Sequence, residues 1–341
     1  GLLLGMMILV AILAPTGLFQ YIAIKAGQLS RGNPWKLLLL LGGGTALVSL
    51  FFNNVTTVVL VGPITILITE LLGINPIPIL MAQALLSDTA DVGTSVGDPA
   101  SVLVASASGY SFTDFLTHSM PIVAVAALVT LLMLRFLFSK ELSQGPAKPE
   151  LVMTLDADEA LQDRRTARRV MVVLAIAIVL FIFQSPLHIS SELIALSAAA
   201  VALVWVRPNI REVLRRVDWP VLVFFMGLFV MVGGLEAAGV FEPIAEALAP
   251  IGHTNPRLLG VVIIWVVAAL SALVDNVPVT IALISLLGGL AAAGVNVNAL
   301  WWAVVFGAGF GGNATKIGSG ANILIGSLSE QTSTPISARL W

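Results

Sequence analysis

Residues 5–19 read GMMILVAILAPTGLF, and residues 227–241 read GLFVMVGGLEAAGVF. Gly5 falls on Gly227, Gly17 on Gly239 and Phe19 on Phe241, all at one offset of 222 residues. The same offset carries Asn53-Asn54-Val55 onto Asp275-Asn276-Val277. At an offset of 221, Thr94-Ser95-Val96-Gly97 falls on Thr315-Lys316-Ile317-Gly318, and Leu103 on Leu324. Three blocks at a nearly constant offset identify an internal duplication, which decides the architecture.

Working outward, the solvent of this chain is a bilayer. Of 341 residues, 58% are hydrophobic and 11% are charged. A soluble domain carries about 25% charged residues, so too little polar material is present to coat a water-facing surface. Apolar segments recur near 1–23, 36–52, 55–73, 77–109 (broken), 119–139, 167–184, 190–206, 219–241, 257–274, 277–293 and 298–330 (broken). Spans of about 20 apolar residues cross a membrane. No basic run is interleaved with aromatics, which excludes nucleic acid as a partner. With no cysteine, disulfides, cysteine-ligated metal and thiol catalysis are excluded. His118, His188 and His253 lie scattered at segment ends and form no ligand set. No cofactor is expected beyond a coupling ion.

The reading predicts an all-α membrane protein with three parts: a first repeat over 1–139, a polar cytoplasmic linker over 140–166, and a second repeat over 167–341. Segments 167–184 and 190–206 precede the second copy, and their counterparts would lie before residue 1. Segment 119–139 has a counterpart that would begin near residue 341. About two further spans at the N-terminus and one at the C-terminus are therefore expected of the native protein.

Basic residues set the topology. Taking 36–73 as a re-entrant hairpin and 77–109 as one broken crossing puts the loops near 24–36, 135–169 and 207–218, with the C-terminal tail, on one side. Those stretches, Lys148 included, hold 15 of the 17 Lys and Arg residues. The other side holds only Arg257, and Lys316 lies inside an apolar segment. The basic side is read as cytoplasmic, in a bacterial-type inner membrane. An odd number of crossings then separates the copies, so their topologies are inverted, a common build of secondary transporters.

Two kinds of polar break recur, once per copy. Asn53-Asn54 and Asp275-Asn276 separate paired helices expected to be too short to span, and so mark hairpin tips. Their side chains would cap the following helix, bind a hydroxylated substrate, or do both. The second break runs Thr94-Ser95-Val96-Gly97-Asp98-Pro99-Ala100-Ser101 and Thr315-Lys316-Ile317-Gly318-Ser319-Gly320-Ala321-Asn322. Its small residues let a helix unwind, which is tolerated at membrane depth only beside a cavity or inside protein. The candidate substrate-binding residues are Asn53, Asn54, Thr94, Ser95, Gly97, Asp275, Asn276, Thr315, Gly318 and Asn322.

Ionisable residues within the membrane are functional by default. Asp88, Asp91, Asp98, Asp275 and Lys316 are the candidates for proton or ion coupling, with Glu236 a lesser one near the outer surface. The duplication does not repeat these charges: Asp275 falls on Asn53, Lys316 on Ser95, and Asp98 on Ser319. Lys316 is either a coupling residue or half of a structural ion pair with Asp275 or Asp91.

These residues resemble the ArsB/NhaD branch of the ion-transporter superfamily. It spans arsenite efflux pumps, sodium/proton antiporters, the melanosomal P protein and, more distantly, citrate and dicarboxylate carriers. The resemblance rests on Phe52–Val58, Gly97-Asp98-Pro99, Ser271–Pro278 and Gly311–Asn322. Ser87-Asp88-Thr89-Ala90 is similar to the Ala-Asp-Thr-Ala stretch of arsenite pumps, and Lys316 to a lysine that some of them carry. Ser101 departs from the usual asparagine. The resemblance implies an elevator-type transporter with tips and breaks meeting at the midplane, a homodimer through scaffold helices, and a cytoplasmic ATPase subunit as partner.

The resulting expectation is proton-coupled efflux of arsenite and antimonite, neutral hydroxides gripped by Asn54, Asn276, Thr94 and Thr315. Sodium/proton antiport is the alternative, with Lys316 standing against it, and small-anion uptake is a third. Intramembrane aspartyl proteolysis fits poorly: no Gly-x-Gly-Asp occurs, and the repeat has no role in it.

Overall fold

The computed structural model describes residues 1–146, 150–332 and 334–341. It is helical throughout, with no strand among the described residues. In the first copy the principal helices are α1 (Leu2–Leu13), α2 (Leu18–Ser30), α3 (Pro34–Ser49), α4 (Asn54–Leu72), α5 (Ile77–Asp91), α6 (Pro99–Ser108) and α7 (Phe112–Leu137). Next come α8 (Arg164–Ile182) and α9 (Ser191–Val206). The second copy adds α10 (Trp219–Ala237), α11 (Glu242–Thr254), α12 (Pro256–Ser271), α13 (Asn276–Ala292), α14 (Asn298–Gly312) and α15 (Gly320–Ser329).

The duplicated sequence folds the same way twice because its punctuation is duplicated. Gly17 ends the α1 stretch at φ 78° and Gly239 ends α10 at φ 72°, a region that a side chain disfavours. Asn33 caps α3 by accepting from the Lys36 amide at 3.0 Å, with Pro34 at the first helical position. Asn255 caps α12 through the Leu258 amide at 3.1 Å, with Pro256 following. Asn53 (φ −50°, ψ 135°) and Asp275 (φ −48°, ψ 143°) share one backbone conformation at the two tips. Thr94 donates to the Leu50 carbonyl at 2.5 Å, and Thr315 donates to the Ala272 carbonyl at 2.5 Å. Each hydroxyl ties a broken helix to the tip of its own hairpin.

Packing then crosses the copies. α2 lies against both legs of the first hairpin, α3 and α4, as α11 lies against α12 and α13. α6 packs on α13 and α14, and α15 packs on α4 and α5. The second half of each broken helix is thus held by the opposite copy. Val92, Val104, Phe115 and Val123 of the first copy are buried in the core built by α12–α14. Apolar residues also cover the outside: Phe136 is 83% exposed, Val230 76% and Trp265 73%. Such surfaces suit lipid, not water.

Four expectations are corrected. Segment 1–23 is not one straight helix, whereas 219–241 does hold a single helix, α10, long and apolar enough to span. The α1 stretch turns by 60° into α2 after Gly17, and α10 is followed by a separate amphipathic α11. The first hairpin's second leg is not short: α4 has 19 residues, about 28 Å, enough to span by length. Segment 119–139 begins earlier, because Phe112–Leu137 runs on through a π-turn at Phe115–Ser119. Finally, 140–166 is not a free solvated linker. Gln28 donates to the Leu155 carbonyl at 2.8 Å, Val152 and Ala157 are buried, and the Asp163 amide reaches the Thr16 carbonyl at 3.3 Å. Lys148 of that linker lies outside the described residues.

Candidate functional site

A cavity of about 590 Å³ lies between the two hairpin tips and the two breaks. Asn53, Asn54, Gly97, Asp98, Asp275 and Asn276 all line it, as do Ser319 and Gly320. Its opposite wall is apolar, with Met6, Met7 and Val10 of α1 facing Phe224 and Phe225 of α10. Arg216 and Asp218, just before α10, also border it.

The tips and breaks interlock by hydrogen bonds between copies. Asn276 of the second tip donates through Nδ2 to Asp98 Oδ1 at 3.2 Å. The other Asp98 oxygen caps α6, accepting from the Ala100 amide at 2.9 Å and the Ser101 amide at 3.4 Å. In the first tip, Asn54 Nδ2 faces Ser319 Oγ at 3.4 Å and donates to Asp88 Oδ1 at 2.5 Å. Ser319 donates to the same Asp88 oxygen at 2.7 Å and caps α15 through the Ala321 amide at 3.2 Å. Each tip asparagine therefore meets the cap of the opposite copy's broken helix. Ser319 belongs to this constellation although residue type alone did not single it out; its place opposite Asp98 in the repeat was the available signal.

The remaining candidates divide into groups. Thr94, Thr315 and Asn322 do not line the cavity and bond backbone instead: both threonines bind tip carbonyls, and Asn322 Nδ2 donates to the Gly312 carbonyl at 2.9 Å. Gly318 is buried in close backbone contact with Gly312. Asp91 is buried, and neither carboxylate oxygen has a hydrogen-bond partner among the described residues. The buried Ser95 and Ser101 hydroxyls are likewise unpartnered there. Glu236 is exposed and accepts from Ser285 at 3.1 Å.

Lys316 is the clear departure. It pairs with neither Asp275 nor Asp91, and it does not line the cavity. Its Nζ donates to the Ile336 carbonyl at 3.1 Å and lies 4.0 Å from Glu330. The flexible side chain runs back over Gly326 toward the helix end, where its charge meets an exposed carboxylate.

A sequence profile of the CitMHS citrate transporter family matches residues 1–307. The chain belongs to the CitMHS family. It is a membrane transporter, not an enzyme. A 46 kDa membrane protein of Mycobacterium leprae is 37% identical over 339 residues, covering 98% of this chain and 79% of that protein. An uncharacterized transporter of Mycobacterium tuberculosis (strain ATCC 25618 / H37Rv) is 36% identical over 339 residues, with coverage of 98% and 79%. The human P protein is 29% identical over 411 residues, covering 97% of this chain and 49% of that protein.

For a CitMHS transporter the cavity has a telling neighbour. A second cavity, of about 500 Å³, is lined by Ser95, Tyr110, Gln184, His188 and Glu192. It also takes in Leu2, while Leu3 lines the first cavity; it takes in Ser95, while Val96 lines the first. The unwound stretch of the first break is thus a thin septum between the two cavities. The acids around it are Asp88, Asp91, Asp98 and Asp275, and no basic side chain forms an ion pair with any of them among the described residues.

Proposed function

We propose that this CitMHS transporter exchanges protons for a small cation, of which sodium and lithium are the probes, at the site formed by Asp98, Asp275, Asn53, Asn54 and Asn276. One observation carries the reading: Asp98 and Asp275 line one cavity and neither forms an ion pair among the described residues, although Arg216 also borders it. Asp275 stands at the N-cap of α13 and lines the cavity, where its carboxylate is within reach of a ligand. Lys316, the residue that stood against a cation, lies elsewhere. Carboxylates and unwound carbonyls are suitable cation ligands in transporters with broken helices.

The coupling follows from charge. An acid pair in a low-dielectric space resists carrying two negative charges, so it holds either a proton or a metal cation. Binding one species displaces the other, which is exchange. The thin septum at Ser95–Val96 separates the site from the second cavity, so small movements of tips and breaks would alternate its access. With the basic loops cytoplasmic, the site cavity opens inward in this conformation, and the elevator-type movement implied by the resemblance would carry it outward.

The tip amides support a second reading, proton-coupled efflux of arsenite or antimonite as neutral hydroxides. Citrate, named in the family's description, fits an acid-lined cavity only when a metal cation offsets its charge.

Proteoliposomes carrying an internal pH dye and an imposed pH gradient distinguish these. Sodium, lithium, arsenite, antimonite, and citrate with or without magnesium are added separately. The expected result is a dye response to sodium or lithium that Asp275→Asn abolishes. A response confined to arsenite or antimonite, or to magnesium citrate, overturns the cation reading.

A further inference from the structure

Away from the transport site, two grooves share one wall. The larger, about 660 Å³, is lined by Val201, Val204, Trp205 and Arg207 of the α9 end, together with Arg169 of α8. The smaller, about 370 Å³, is lined by Arg165, Arg168, Arg169, Val172 and Trp205. Arg169 and Trp205 belong to both, so the grooves are continuous. Arg169 fixes that shared wall: its guanidinium lies 5.8 Å from the Trp205 ring centroid and donates to the Trp205 carbonyl at 3.0 Å.

The charge here is unspent. Arg164, next in sequence, is paired with Asp158. Arg165, Arg168, Arg169 and Arg207 form no ion pair among the described residues, and no acidic side chain lines either groove. Arg207 stands at φ 56°, an uncommon backbone region for a side-chain-bearing residue, where it ends α9 and turns the chain at the groove's rim. Below the arginines the surface is apolar and open: Val204 is 73% exposed, and Val172 and Val201 are exposed as well. Four cations above an exposed apolar wall, with a tryptophan at the boundary, match one amphiphile in both chemistry and order.

We propose that this composite groove is a binding site for an anionic phospholipid, with phosphate held by Arg165, Arg168, Arg169 and Arg207 and an acyl chain lying along Val172, Val201 and Val204. Guanidinium groups bind phosphate oxygens in paired, charge-assisted hydrogen bonds, so several of them favour a headgroup with two phosphates, as in cardiolipin. The site lies where α8 and α9 meet, and α9 packs along α1, which walls the transport cavity. A bound lipid would therefore brace the α1 wall of that cavity.

The test uses the purified full chain in detergent, titrated with a fluorescent cardiolipin and followed in parallel by native mass spectrometry. Arg165→Gln/Arg168→Gln removes two groove charges whose side chains make no hydrogen bonds among the described residues. Arg211→Gln/Arg215→Gln removes the same charge from the neighbouring loop helix Ile210–Arg216, outside both grooves. The groove variant is expected to bind cardiolipin roughly thirtyfold more weakly, with the loop variant unchanged. Phosphatidylcholine should fail to compete, and inorganic phosphate should compete only weakly, lacking the acyl chain. Equal losses in both variants, or equal competition by phosphatidylcholine, overturn the site. Circular dichroism melts of both variants separate a binding loss from misfolding.

Discussion

Asn276 donates to Asp98 across the two copies at 3.2 Å, and its counterpart Asn54 faces Ser319, the counterpart of Asp98, at 3.4 Å. The duplication has kept the tip asparagines and let the residues they meet diverge. Asp98 brings a carboxylate to one crossing. At the other crossing Ser319 only hands on a hydrogen bond to Asp88, at 2.7 Å. Both acids at these crossings, Asp98 and Asp88, belong to the first copy, so the duplicated scaffold carries its charge asymmetrically.

Asp98 serves two roles that substitution separates. Asp98→Asn keeps an oxygen to cap α6 but removes the charge, so proton exchange should be lost while the melting temperature stays close to that of the parent. Asp98→Ala loses the cap too and should cost about 1 kcal/mol in stability. Proteoliposome flux and thermal melts of both variants make the comparison.

Asn54→Ala removes one of two donors to the buried Asp88 oxygen. Leaving that acceptor half-satisfied should destabilise the protein by about 1–3 kcal/mol. Thermal unfolding in detergent reads it, and the loss should shrink markedly in the Asp88→Asn background if the two residues act as a pair.

Close backbone approach should make the first break intolerant of a methyl group. A Cβ at Gly97 would lie 2.6 Å from the Ser49 carbonyl oxygen and 2.7 Å from that of Asp91. Gly97→Ala is therefore expected to impair both folding and transport. Gly43→Ala, mid-helix with nothing within 4 Å of the new Cβ, should stabilise by up to about 1 kcal/mol. Expression level and melting temperature of the two variants check the contrast.

At the start of α8, outside the apolar spans, hydrogen bonds from Thr166 hold the Asp163 carboxyl below its ordinary value. A depressed carboxyl contributes stability above its unfolded value, about 3.9, and that stability is lost as pH falls through the lower, folded value. The Asp163 contribution should thus persist at pH 5 and fade only in stronger acid. Asp163→Asn, which retains a capping oxygen, should flatten that acid limb of the melting-temperature profile without changing its neutral plateau appreciably.

Lys316 lies away from the cavity, its ammonium on the Ile336 carbonyl. Lys316→Gln should keep cation-driven proton exchange near the parental level. Abolished exchange in a variant that still melts normally would return Lys316 to the transport site.

The sequence alone determined the bilayer as solvent, the duplication and the positions of the four polar interruptions. Those features are local: an apolar run, an Asn before a helix and a Gly or Pro within one act through their own backbone, so Asn53-Asn54 and Gly97-Asp98-Pro99 announce breaks without any partner. Tertiary structure decided which side chains meet. Lys316 and Asp275 looked like partners because both are charges in apolar surroundings, yet a lysine side chain is long and turns to whichever oxygen the packing supplies. Asp88 had no visible partner in sequence, and found two because α15 packs on α4 and α5. The amphipathic α2 was partly hidden inside the longer apolar run 1–23, since the 60° turn that frees it depends on one left-handed glycine and on what the helix then lies against. Contacts between residues more than two hundred positions apart depend on how whole helices pack, and no local pattern encodes that.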